Sequence, residues 1–154
     1  MTPRPPALEH AFTIEAEIDA PRPAGLSAAG ERLLVPITGG RVFGPRLEGR
    51  VLPGGADWPL IENDRVARIR AEYVIEATDG TLIHVENRGI RVAEPAIVAR
   101  LRAGEAVAPE AFYMRGAPVF EAPPGPHRWL SEHQFLCRIA PAPGRVRVEV
   151  FVVR

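Results

Sequence analysis

The chain has 154 residues, 46% of them hydrophobic and 25% charged, which suits one domain with a real core and leaves little room for a second. The 19 basic residues balance 19 acidic ones, which argues against a nucleic-acid backbone or an anionic membrane as the main partner. Every basic residue is Arg, so no lysine amine is available for Schiff-base chemistry, and the single Cys137 excludes an internal disulfide and a thiolate metal cluster.

Residues 1–8 include the Pro-rich stretch Thr2 to Pro6 and read as a loose tail. No basic stretch followed by an apolar run marks the first 20 residues as a signal peptide. No apolar run approaches the roughly 18 residues of a membrane-spanning helix. With a lone thiol, this pattern predicts a cytoplasmic protein. His10 to Ala20 alternates with Phe12, Ile14, Ala16 and Ile18 on one face, the period of a strand. Pro21 to Gly30 reads as a connection. Arg32 to Phe43 is a second strand in which Pro36 predicts an edge or a bulge. Leu47 to Leu52 is a short third strand, closed by a loop at Pro53-Gly54-Gly55.

Arg65 to Ala77 is the clearest strand, with Ala67, Ile69, Ala71, Tyr73, Ile75 and Ala77 on one face. Thr81 to Arg91 follows at once, so a hairpin turns at Thr78-Asp79-Gly80. A two-residue turn would set Tyr73 against Glu86. A three-residue loop with Gly80 left-handed sets Tyr73 against Val85 and Ile75 against Ile83, and keeps apolar residues together. Pro95 to Ala103 reads as the one helix, opened by Pro95 and closed by Gly104. Phe112 to Ala122, His127 to Ile139 and Arg145 to Val153 complete about eight strands. Many short strands and one helix predict an all-β protein, a closed or nearly closed antiparallel barrel.

Most catalytic signatures fail. Gly39 to Gly44 begins like a phosphate loop, but Pro45-Arg46 stands where Lys and Ser/Thr are needed. His84-Val85-Glu86 opens like a zinc-deaminase motif with no Cys pair to follow. His127 and His133 have no third ligand placed with them, so no metal site is assigned. Neither Ser27 nor Ser131 lies in a nucleophile elbow, and Cys137 lies among apolar neighbours as a packing residue.

The strongest local feature is Pro53-Gly54-Gly55-Ala56-Asp57-Trp58. The glycines permit unusual backbone angles or close approach, and an acid and an indole follow side by side. Asp57 is either a general base at a pocket mouth, with Trp58 as its wall, or an acceptor for loop amides with Trp58 plugging the barrel. Phe112-Tyr113-Met114-Arg115 and His127-Arg128-Trp129 set aromatics beside cations, a composition suited to an aromatic or carboxylate ligand and equally to core aromatics with solvated Arg neighbours. Glu121 is a further carboxylate, read as a solvated strand residue.

These motifs carry a resemblance. Gly39-Gly40-Arg41-Val42-Phe43-Gly44-Pro45, Leu47-Glu48-Gly49 and Pro53 to Trp58 are similar to DUF3237, also called UPF0311, a bacterial family of unknown function. Thr78-Asp79-Gly80, Asn87-Arg88-Gly89-Ile90, Ala103-Gly104-Glu105, Tyr113-Met114-Arg115, Pro118-Val119-Phe120-Glu121 and Trp129-Leu130 extend it over nearly the whole chain in order. The resemblance implies a compact antiparallel barrel and no activity. It departs at Arg70-Ala71-Glu72, where the family has Asp-Ala-Arg.

Three functions fit. The first is a cofactor-independent acid/base enzyme, an isomerase, lyase or cyclase on an aromatic or polyketide-like compound. In it Asp57 is the acid/base, Arg115 holds an anionic group, and Trp58, Tyr73, Tyr113 and Trp129 shape the pocket. The second is a non-catalytic barrel that binds a small organic molecule. The third is a structural, self-associating module with a filled barrel. No nucleic-acid, membrane, metal or cofactor partner is expected.

Overall fold

The computed structural model describes residues 1–154. Its elements are β1 (Leu8–Ile18), β2 (Arg22–Ser27), β3 (Gly30–Phe43), β4 (Gly49–Val51), β5 (Gly55–Asp57), β6 (Leu60–Ile61), β7 (Val66–Ala77), β8 (Leu82–Val92), α1 (Pro95–Arg102), β9 (Tyr113–Glu121), β10 (Phe135–Ala142) and β11 (Arg145–Val153). Short 3-10 turns lie at Pro109–Ala111 and Arg128–Ser131. No helix is long and apolar enough to cross a membrane.

The strands close into an eight-stranded antiparallel barrel in the order β1-β11-β10-β9-β8-β7, then the broken strand β4/β5/β6, then β3, which pairs back on β1. Closure leaves no free edge along the barrel wall. Period-two alternation decides the inside. On β7, Ala67, Ile69, Ala71, Tyr73, Ile75 and Ala77 are all buried. The β7–β8 hairpin takes the three-residue register: Tyr73 pairs with Val85 and Ile75 with Ile83, and Gly80 has φ +86°.

Three elements differ from the sequence expectation. Residues Pro21 to Gly30 are not a bare connection: β2 folds back on the start of β3 as a flap, exposed along its whole length. The Gly54 to Trp58 loop contains β5, which completes the barrel between β3 and β7. The strand expected over His127 to Ile139 begins only at Phe135. Residues 128–131 form a 3-10 turn whose Trp129 and Leu130 cover the hydrophobic barrel end, so burial decides the local structure there. Pro36 marks where β3 parts from β1; beyond it β3 pairs with β2 and β6.

The interior has two unlike halves. At the end carrying the β7–β8 hairpin, Phe120 stands edge-on to Phe12 and Phe135 at 5.5 and 5.0 Å, and Trp129 lies 5.7 Å from Phe135. Leu130 closes that end, 1% exposed. Towards the other end the inward positions, Ile69 and Met114 apart, become small or polar: Ala71, Asn87, Gly89, Gly116, Ala67 and Arg91. Helix α1 leaves β8 at this lower end, and its last residue, Arg102, reaches Glu31 of β3 at 3.5 Å, so α1 lies across the lower rim.

Candidate functional site

The site starts from the break between β5 and β6. Gly54, with φ +106°, turns the chain into β5. Gly55 then passes so close to β7 that a Cβ there would stand 2.5 Å from the Cβ of Tyr73. Two glycines are thus what lets Asp57 arrive opposite Ala71 with Tyr73 beside it. The pairings define one interior rung across four strand positions: Val35, Asp57, Ala71 and Asn87, continued by Pro118 on β9.

The Asp57 carboxylate accepts the Arg70 backbone N–H at 3.0 Å and has no ion-pair partner. Burial raises its pKa to about 6, against the opposing pull of the Arg70 and Trp58 amides and the Arg32 charge. Arg32 is spent elsewhere, donating from Nη1 to the Trp58 carbonyl at 2.8 Å. On the outer side of the same break, Arg32, Trp58, Arg70, Ala71, Glu72 and Glu86 line a groove of about 300 Å³. Ala71, the rung partner of Asp57, also borders this groove.

Tyr73 is 5% exposed. Burial holds its phenol protonated, and the negative charges that Cys137 and Asp57 can carry push the same way. Cys137 is raised to about 11, chiefly by burial, with the Asn87 hydrogen bond opposing. Asn87 Nδ2 donates to Cys137 Sγ at 3.4 Å. The arrangement is therefore one carboxyl able to gain or lose a proton near neutrality, with a phenol, an amide and a thiol that stay neutral. Cys137 is a packing group and not a nucleophile.

Of the residues expected to form the site, the structure brings only Asp57 and Tyr73 together inside the barrel. Trp58 is 41% exposed and walls the outer groove. Tyr113 and Arg115 take the outward positions of β9, whose buried positions are Gly116, Pro118 and Phe120. There the Arg115 guanidinium sits 5.2 Å from the Tyr113 ring centroid. Trp129 belongs to the opposite, hydrophobic end, under the Arg46 guanidinium at 3.9 Å. The assignment of Arg115, Tyr113 and Trp129 to one pocket with Asp57 is corrected accordingly: adjacency in sequence placed them on the wrong face or at the wrong end.

His127 and His133 are apart in role. His127 Nε2 meets Asp79 at 2.8 Å, and His133 Nδ1 meets the Trp129 carbonyl at 2.8 Å. Glu121 is an outer-face residue, 3.8 Å from His84. Arg70 and Glu72 point outward into the groove, and Glu72 meets His84 at 2.8 Å. Sequence reasoning missed Asn87 and Arg91. Their signal was the parity of β8: Ile83 and Val85 face inward, so 87, 89 and 91 do too.

Fold and interior together define a closed antiparallel barrel with one ionisable carboxyl built into its wall. The chain belongs to the DUF3237 family, described as a protein of unknown function, whose model matches residues 6–153. A UPF0311 protein from Rhodopseudomonas palustris is 37% identical over 150 residues, 96% of this chain and 98% of that protein. The crystal structure of the conserved protein of unknown function RPA1785 from Rhodopseudomonas palustris matches with a TM-score of 0.93 at 36% identity, covering 100% of both chains. A beta-barrel like protein from Acinetobacter baumannii matches at 0.85 and 28% identity over 99% of each chain. An enzyme from Penicillium herquei shares the fold at a TM-score of 0.73 and 22% identity, over 100% of this chain and 98% of that one.

Proposed function

We propose that this protein is a cofactor-independent acid/base enzyme of the cytoplasm, an isomerase, lyase or cyclase acting on an aromatic or polyketide-like small molecule. The observation that carries the reading is Asp57: a carboxyl inside a barrel wall, raised to about 6, with no cation bonded to it. A group with that pKa exists in both protonation states near neutrality, which is what alternating proton removal and return requires. A base of that strength suits protons already made acidic, such as the methylene of a 1,3-dicarbonyl or a phenol, and these groups abound in polyketide-like compounds. Asp57 takes the proton and returns it at another atom. Tyr73, kept protonated, is the neighbouring donor for the oxyanion that forms in between. The enzyme from Penicillium herquei has this same architecture.

The test uses a probe that reports proton removal without knowledge of the final product. The protein is incubated with 1-phenylbutane-1,3-dione in D2O, and deuterium entry at the central carbon is followed by NMR. Wild type is expected to accelerate exchange over buffer, and Asp57→Asn to fall back to the buffer rate with its fold intact. Equal rates for wild type and Asp57→Asn refute the acid/base role. In that case the hydrogen bond from the Arg70 amide supports the second reading, a ligand-binding barrel in which Asp57 only secures the strand break.

A further inference from the structure

We infer that Arg91 is the seat for the carboxylate of an acidic ligand held in the lower half of the barrel. The inference rests on the interior being the ligand site, as proposed above. Arg91 continues the inward parity of β8, paired with Ala67 on β7 and Met114 on β9, and is 8% exposed. Its Nε and Nη2 are buried and have no hydrogen-bond partner, and no other side chain in the protein has a buried nitrogen or oxygen so placed.

Three facts make this more than a packing accident. A guanidinium cannot escape burial by losing its proton, as a lysine or histidine can. The one charge close enough to act on it is Arg102, a like charge that adds to the cost. The carboxylates around the lower rim are already engaged: Glu94 with Arg65 at 3.4 Å, Glu31 with Arg102 at 3.5 Å, Glu105 with Arg100 at 2.9 Å. Two buried guanidinium donors left unpaired in this way are unfavourable unless an acceptor completes them.

The pair of orphan donors also states the shape of that anion. Nε–H and Nη2–H point the same way from one edge of the guanidinium, the fork that meets the two oxygens of a carboxylate in parallel. The neighbouring inward positions carry little side chain: Gly89, two positions up β8, lies against the β9 backbone, and Ala67 lies across from Arg91. Arg91 stands four residues below Asn87, the β8 member of the Asp57 rung, which is about 13 Å of strand. A ligand that meets both Arg91 and Asp57 is therefore an extended acid, with its carboxylate at the lower end and its reacting carbon higher up.

Calorimetric titration of the full chain with 4-phenylbutanoate and with its uncharged amide tests this. Wild type is expected to bind the carboxylate saturably, one per chain and at least tenfold tighter than the amide. Arg91→Gln is expected to abolish that preference. Arg91→Lys keeps the charge without the fork and is expected to bind the carboxylate at least threefold more weakly than wild type. Arg115→Ala, on the outer face of β9, is expected to stay within threefold of wild type. Circular dichroism confirms that each variant is folded, and Arg91→Lys decides the matter if Arg91→Gln is not. Equal affinity for acid and amide, undiminished binding by both Arg91 variants, or no saturable binding to wild type overturns the inference. Loss of the deuterium exchange expected of Asp57 with the carboxylate preference intact removes the acid/base reading and leaves the Arg91 site standing.

Discussion

The amide of Asn87 on β8 donates to the thiol of Cys137 on β10 at 3.4 Å, reaching over β9 at the one point where β9 has no side chain. That point is Gly116. A Cβ there would stand 2.5 Å from Asn87 Oδ1 and 2.9 Å from Cys137 Sγ. Gly116→Ala therefore overpacks the interior and is expected to destabilise the fold by about 1–3 kcal/mol, read from the urea midpoint. A midpoint equal to wild type contradicts this contact.

Burial, against the pull of this contact, makes Cys137 unreactive. Its thiol is raised from 9.0 to about 11 by burial, so the thiolate at pH 8 is about a hundredfold scarcer than in the unfolded chain. A chromogenic thiol reagent is expected to react with the native protein at least that much more slowly than with protein in guanidinium chloride. Comparable rates would place the thiol at the surface.

Asp57 gives the protein a distinctive pH dependence. Its pKa is raised from 3.8 to about 6 on folding, so between those values the folded state binds more protons than the unfolded one. Stability from this group is fully present below pH 3.8 and is lost as pH rises through 6. At pH 7 the ionised carboxyl costs roughly 3 kcal/mol, and Asp57→Asn, which can still accept the Arg70 amide, is expected to recover up to that amount. Urea denaturation at pH 5 and pH 7 should show the variant's gain shrinking at the lower pH. A variant less stable than wild type at pH 7 contradicts the burial of this charge.

Much of the barrel is legible in the residues because apolar alternation states which face is inside. It placed the β7–β8 register, the inward face of β7 and the last strand without any tertiary information. Where it failed, another force decided. Trp129 and Leu130 look like strand residues but cap the hydrophobic end, a demand set by the closed barrel and invisible locally. The candidate site was legible at Pro53 to Trp58, where two glycines announce a close approach, and at Tyr73 on the inward face of β7. The Arg115 assignment failed because it read neighbours in sequence as neighbours in space, whereas on β9 odd positions face out. Arg91 was within reach of the same parity argument, but the cost of its burial shows only once its surroundings are known.

The outward residues supply a control. Tyr113→Ala and Arg115→Ala are expected to leave deuterium exchange into the diketone within twofold of wild type, since neither side chain faces the interior. Trp129→Ala removes the aromatic that packs on Phe135 and is expected to cost roughly 2–4 kcal/mol of stability. A loss of exchange in Arg115→Ala with full stability would move the site to the outer face of β9.

The proposed chemistry depends on a carboxyl in the barrel wall that exchanges its proton near neutrality. The most direct measurement is the titration of the Asp57 side-chain carboxyl in protein carrying 13C-labelled aspartate, assigned by its loss in Asp57→Asn. A midpoint of about 6 is expected. A midpoint at or below 3.8, the ordinary value, would contradict it and leave Asp57 as a brace for the strand break.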